Sequence, residues 1–413
     1  MSSRRTYVSR IVSTLSFGLA CSVSSCGNQP EDLVECWEGE ATGNWSKVFY
    51  PPEHLGGDPG VSDGVTYSLI LRHPVCESCT IAELDTDGSS WSTYETSGVY
   101  GEFNASEFSL SPEYLAASDF SNFENGWRIY SRTFALLDRE TRNWIVTEPP
   151  EEYEGRFGAD LHWTGSSFVL WGGDVTDDGR GVLESETVIR SFYDGATYDP
   201  AAGTWDVVLP AWPIGEFLYE DNDPQGQMSS VWTPDGLFVW GSKPDESAAA
   251  LAIYDIEEHE WRYPEPEHSP EPRRYHQLLY HDRFVYLVGG FRASYHWGNH
   301  GPSAEGPREL WRFSLDELNW EQLEVPKYAD LEVASGQWIG DRLVLLGQRC
   351  ASGSAFSAKD GRWEPIAGEG RPPLAPYVIP SVGELAVAGD SLVVNAVSSD
   401  GTFEDSAVWI FEF

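Results

Sequence analysis

Arg283-Phe284-Val285-Tyr286-Leu287-Val288-Gly289-Gly290 is an apolar run ending in two glycines, and Trp311-Arg312-Phe313-Ser314-Leu315-Asp316 follows it ahead of Trp320. Arg274 to Tyr280 precedes it as another short run. Apolar, β-branched and aromatic runs of this length, bounded by turn formers, read as strands. The same order recurs upstream. Ser167-Phe168-Val169-Leu170-Trp171-Gly172-Gly173 leads to Ala196-Thr197-Tyr198-Asp199 and Trp205. Leu237-Phe238-Val239-Trp240-Gly241 leads to Ala252-Ile253-Tyr254-Asp255 and Trp261. Weaker copies are Arg342 to Gly347, and Phe134 to Asp138 before Trp144. The tryptophans Trp91, Trp144, Trp205, Trp261, Trp320 and Trp363 stand at intervals of roughly 40–60 residues, which marks a repeated supersecondary unit.

These residues resemble the kelch repeat. That resemblance implies an all-β fold, a kelch-like β-propeller whose blades are four-stranded antiparallel sheets. The glycine pair follows the second strand, Tyr-Asp closes the third, and Trp opens the fourth. Glycine permits positive φ at the turn, and aromatic rings fill the wedge between blades. The likeness is fullest after residue 150. The units near residues 70, 110 and 395 depart from it.

The two ends complete each other. Asn44-Trp45-Ser46-Lys47-Val48 reads as a fourth strand with no earlier strands before it. Leu392 to Val397 and Ala407 to Phe413 read as earlier strands without a fourth. Pairing them closes the ring and removes both free edges. The expectation is about seven blades over residues 44–413, with six as the alternative, and pairing of Trp45 with Val408 to Phe411.

Composition limits the partners. The chain of 413 residues has a formal net charge of −40. Such a surface repels phosphate backbones and anionic lipid, so nucleic acid is excluded as a partner. Cations, basic proteins and neutral glycans remain, with solubility as the plain structural reason for the charge. A single copy is the expected state.

Arg4, Arg5 and Arg10 precede a mildly apolar run from Ile11 to Ala20, too short to span a bilayer, which takes about 20 residues. Val23-Ser24-Ser25-Cys26 resembles a bacterial lipobox. The resemblance implies that residues 1–25 are a removed signal, that Cys26 is lipidated, and that residues 26–43 are a tether. Membrane contact is then through the anchor alone, on an exported chain in the cell envelope. Ordinary secretory cleavage is the alternative. An oxidising compartment makes disulfides the default for the other cysteines. The expected pairs are Cys76 with Cys79, and Cys36 with Cys350, the latter resting on ring closure. A metal or redox role for Cys76-Glu-Ser-Cys79 lacks a second such pair and a thioredoxin-like pattern.

Loop lengths are asymmetric. Links from first to second strand and from third to fourth are short. Links from second to third strand are long: Gly173 to Val188, Gly290 to Glu309, and Ser111 to Trp127. Blade-to-blade links such as Leu209 to Gln227 are long too. Both long classes emerge on one face and leave the other nearly bare. Long loops on a rigid scaffold carry function. The richest, 291–300, holds Tyr295, His296, Trp297 and His300. Asp174, Asp177 and Asp178 form an acidic loop, and Asp221 and Asp223 another. Calcium favours clustered carboxylates, yet the EF-hand spacing is missing. Solvated acidic loops, and aromatics packed on their own loop, are the plain readings. His276, on a first strand, reads as structural.

The reading requires no cofactor, with calcium the ion these loops would suit. It favours non-catalytic binding of a protein or glycan. The alternative is a carbohydrate-acting propeller enzyme. Galactose-oxidase-like enzymes need a copper site for which no ligand set is legible around Cys350, and the boxes of sialidases do not match the turns before Trp205 and Trp363. No Walker motif is present.

Overall fold

The computed structural model describes residues 41–49, 60–62, 66–71, 80–84, 90–98, 107–118, 121–124, 127–156, 158–176, 188–209, 228–242, 249–292, 307–329, 331, 335–347, 353–366, 385–396 and 407–413. They form seven four-stranded antiparallel sheets and two small two-stranded hairpins, with no helix among the described residues. The sheets are the blades of a β-propeller. Blades 1 to 6 span residues 60–95, 107–147, 160–209, 228–262, 273–323 and 335–366. Blade 7 joins three C-terminal strands, from Leu385 to Glu412, to the strand Asn44–Phe49.

The closure expected from the sequence is present. Asn44–Phe49 lies antiparallel to Ala407–Glu412, with Trp45 opposite Phe411 and Val48 opposite Val408. Inner strands of successive blades touch all the way round, blade 7 to blade 1 included. Thr42 extends the closure by donating its amide to Pro365 O at 3.0 Å, across to blade 6.

Each gap between blades holds a core, and each core includes one outer-strand tryptophan. Trp144 packs with Ile81 of blade 1 and Trp205 with Phe134 of blade 2. Trp261, Trp320, Trp363, Trp45 and Trp91 occupy the other gaps. The indoles also reach back to the preceding blade. Trp144 Nε1 donates to Thr96 Oγ1 at 3.0 Å, Trp205 Nε1 to Thr147 Oγ1 at 3.2 Å, and Trp363 Nε1 to Glu324 O at 2.8 Å.

The turn before each tryptophan explains the Tyr-Asp signal. Asp199 Oδ1 accepts from the amides of Ala201 and Ala202, and Asp138 and Asp255 do the same in their turns. This Asx-turn ends the third strand and starts the fourth. Two residues before the tryptophan, the backbone turns left-handed: φ is 68° at Gly203, 70° at Gly361 and 54° at Leu318.

One boundary differs from the sequence reading. The long link expected over Ser111 to Trp127 starts later, because Tyr114–Ser118 is the second strand of blade 2. Ser111 N bonds Tyr114 O at 2.8 Å, which makes Pro112-Glu113 a tight turn. The excursion then carries its own hairpin, Ser121–Glu124 with Trp127–Tyr130.

Candidate functional site

The long second-to-third-strand excursions of blades 3 and 5 leave the ring at the two glycine pairs. Gly172 and Gly173 have φ of 72° and 90°, and Gly289 and Gly290 of 65° and 92°, a conformation that side chains disfavour. The paired strands Asp174–Thr176 and Val188–Ser191 rise from the first root. Backbone bonds tie that root: Gly172 N to Asp194 O at 3.0 Å, and Phe192 N to Gly173 O at 2.8 Å.

A buried arginine lies under each root, and neither was singled out from the sequence. Arg156 Nη1 donates to Gly172 O at 3.0 Å and to Asp194 Oδ1 at 2.5 Å, bridging the two feet of the excursion. Its guanidinium lies 4.0 Å from the Tyr153 ring centroid and 3.7 Å from that of Phe192. Arg273 repeats the device in blade 5. Its Nη1 donates to Gly289 O at 3.4 Å and its Nη2 to Glu309 Oε2 at 3.0 Å. Both arginines also bond the carbonyl two residues upstream through Nε. Their side chains are 1% and 0% exposed. A buried cation is tolerated only when paired and hydrogen-bonded, so these two fix the feet of the excursions in place.

The inner strands are stitched between these roots. His276 is buried at the junction of blades 4 and 5. Its Nδ1 lies 3.1 Å from Arg273 O and its Nε2 3.2 Å from Trp240 O. Burial, then the Arg273 charge, hold its pKa down to about 3, so the ring is neutral and has one N–H for two carbonyls. The structural role expected for His276 fits this setting. Ser229 Oγ adds a bond to His276 O at 3.0 Å.

Between blades 3 and 4, Ser230 Oγ lies 2.5 Å from Asp160 Oδ2 and 2.7 Å from His162 Nε2. Burial raises the Asp160 pKa and lowers that of His162. The residue types are those of a catalytic triad, but the geometry is not. The carboxylate engages the serine hydroxyl and amide instead of orienting the imidazole, so the trio acts as an inter-blade tie.

Of the residues nominated from the sequence, Asp174 is described, opposite Ser191 at the start of the blade 3 hairpin. Asp177, Asp178, Asp221, Asp223, Tyr295, His296, Trp297 and His300 lie outside the described residues, as do Cys26, Cys36, Cys76, Cys79 and Cys350. No three metal-ligating side chains converge among the described residues. No protein-family model and no curated protein matches the chain.

Proposed function

We propose that this chain is a non-catalytic binding scaffold of the cell envelope, exported and anchored through a lipid on Cys26. Its kelch-type blades present the long-loop face to a protein or glycan ligand. The paired arginine clamps carry this reading. Burying a charged arginine is a costly way to end a strand, and this chain buries two, each under a long excursion. Anchoring the feet limits the ordering entropy that a loop gives up when it binds. The 291–300 segment, with Tyr295, His296, Trp297 and His300, follows the clamped Gly289-Gly290 root, and aromatics of this kind dominate binding hot spots. Acidic residues on the same face suit a cationic or calcium-bridged ligand. The disulfides Cys76–Cys79 and Cys36–Cys350 belong to the same proposal, since export favours them.

The experiment is fractionation of the native envelope followed by recovery of whatever proteins and glycans accompany the whole chain. A membrane-associated chain that leaves the membrane on Cys26→Ala substitution, with a saturable companion, supports the reading. A wild-type chain in the soluble cytoplasmic fraction, or the absence of any saturable companion, contradicts it.

A further inference from the structure

The binding reading leaves unused two buried titratable groups at the inner seam between blades 3 and 4. Asp160 and His162 stand at alternate positions of the strand Asp160–Trp163, so both face blade 4, while Leu161 between them packs towards blade 2. From blade 4, Ser230 gives Asp160 Oδ2 its amide at 3.0 Å and its hydroxyl at 2.5 Å. A hydroxyl has one proton, so His162 Nε2, 2.7 Å from the same Oγ, is the donor of that contact. The bonds run in one direction, from ring to hydroxyl to carboxylate.

Two atoms of the trio stay open. Asp160 Oδ1 and His162 Nδ1 have no hydrogen-bond partner among the described residues. A further proton can enter at either atom and leave every bond of the seam in place. Without it the trio is an anion, with one it is neutral, and with two it is a cation. A buried site disfavours both charged forms. Burial accordingly raises the Asp160 pKa and lowers that of His162, and the charge of each partner opposes the shift. Of the strands packed against this one, Phe168–Trp171 and Met228–Thr233 hold no titratable side chain. Glu107, on Glu107–Leu110, belongs to blade 2, the side that Leu161 faces.

The neighbouring seam is the contrast. His276, between blades 4 and 5, faces two carbonyls and the Arg273 charge, and no carboxylate among the described residues shares its proton.

We infer that Asp160, Ser230 and His162 hold one proton between them as a single latch, which keeps the seam between blades 3 and 4 at constant strength through mildly acid pH and weakens it on either side. The unfolded chain protonates His162 below about 6.5 and Asp160 below about 3.8, the ordinary values. The raised Asp160 contributes stability that is full below about 3.8 and lost as pH rises. The lowered His162 contributes stability that is full above about 6.5 and lost as pH falls. Between those values the folded and unfolded states carry the same single proton, and the two slopes cancel.

The test is amide hydrogen exchange of the intact chain at pH 6 and pH 4, on a His276→Gln background that removes the other buried imidazole. Adding Asp160→Asn deprives His162 of its counter-charge. Protection of 160–163 and 228–233 should then fall about tenfold or more beyond the fall seen in the parent. Adding His162→Gln instead should bring no extra fall. An equal pH response with and without Asp160→Asn would overturn the shared proton. Where Asp160→Asn alone does not fold, the neutral pair Asp160→Asn/His162→Gln serves, read by proton uptake on urea unfolding at pH 5. Its uptake should match that of the parent, because the trio carries one proton in both states. A difference approaching one proton would overturn the latch.

Discussion

Blades 3 and 5 build the same clamp to different degrees of completion. In blade 5 the guanidinium of Arg273 engages Gly289 O with one amino group and Glu309 with the other, and Trp311 Nε1 holds the same Glu309 oxygen at 2.9 Å. In blade 3 the acidic partner is Asp194, one methylene shorter. It shares Nη1 with Gly172 O, and Nη2 of Arg156 is buried without a hydrogen-bond partner. Two aromatic rings flank Arg156 instead. The difference teaches that pinning the root is the common requirement. Full hydrogen-bond satisfaction is met in one blade and compensated by ring contacts in the other.

The largest expected effect comes from removing the complete clamp. Arg273→Ala leaves the buried Gly289 carbonyl and the partly exposed Glu309 without their shared donor and should cost about 3 kcal/mol. Arg156→Ala should cost less, because one of its donors is already unsatisfied. Urea midpoints of the two variants check this, and equal losses would break the comparison.

A pH effect should come next, and of the two clamps only that of blade 5 has a histidine beside it. His276 stands three residues after Arg273, and blade 3 has Ala159 at that place. In the folded state His276 stays neutral down to about 3, from an ordinary value of 6.5. The unfolded chain takes up a proton below about 6.5, so stability is full above that pH and falls as pH drops towards about 3. The slope should be ~1.4 kcal/mol per pH unit for this group. Measured between pH 7 and pH 5, His276→Gln should lose less stability than the wild type. A parallel decline would remove His276 as the cause.

Completing the blade 3 clamp should have the opposite sign. Asp194→Glu lengthens the carboxylate towards the free Nη2 and should stabilise by about 1 kcal/mol, the usual worth of one satisfied hydrogen bond. Destabilisation would show that the pocket cannot take the extra methylene. The smallest effect lies in the last turn of each blade. Gly203→Ala in blade 3 should cost about 0.5–1 kcal/mol at its positive φ, whereas Leu318→Gly in blade 5 should change stability by only a few tenths.

Much of this architecture is legible in one dimension because it is local. The Asx-turn, the left-handed residue and the tryptophan occupy one short stretch, so Ala196 to Trp205 displays them together. The closure was legible for another reason: a lone fourth strand at Trp45 and a missing one at Phe413 leave a single way to remove both edges. The clamps were not. Arg156 and Arg273 each precede their glycine partner by 16 residues, and an arginine in a chain this charged reads as solvated. Their equal spacing to Gly172 and Gly289 was the available signal. The tie of Asp160 and His162 to Ser230 joins residues some 70 apart on neighbouring blades, and only the ring brings them together. The hairpin within 121–130 was hidden because each run is four residues long and the first, Ser121–Glu124, is largely polar.

The most direct test of the loop face is recovery of the envelope companion by a Tyr295→Ala/Trp297→Ala/His300→Ala chain, with unfolding midpoint and near-ultraviolet circular dichroism recorded alongside. The clamps beneath Gly172 and Gly289 hold the roots independently of the loop tips. The variant should therefore keep the wild-type midpoint and spectrum and lose the companion. A chain that keeps both its fold and its companion would contradict the assignment of the long-loop face as the binding surface.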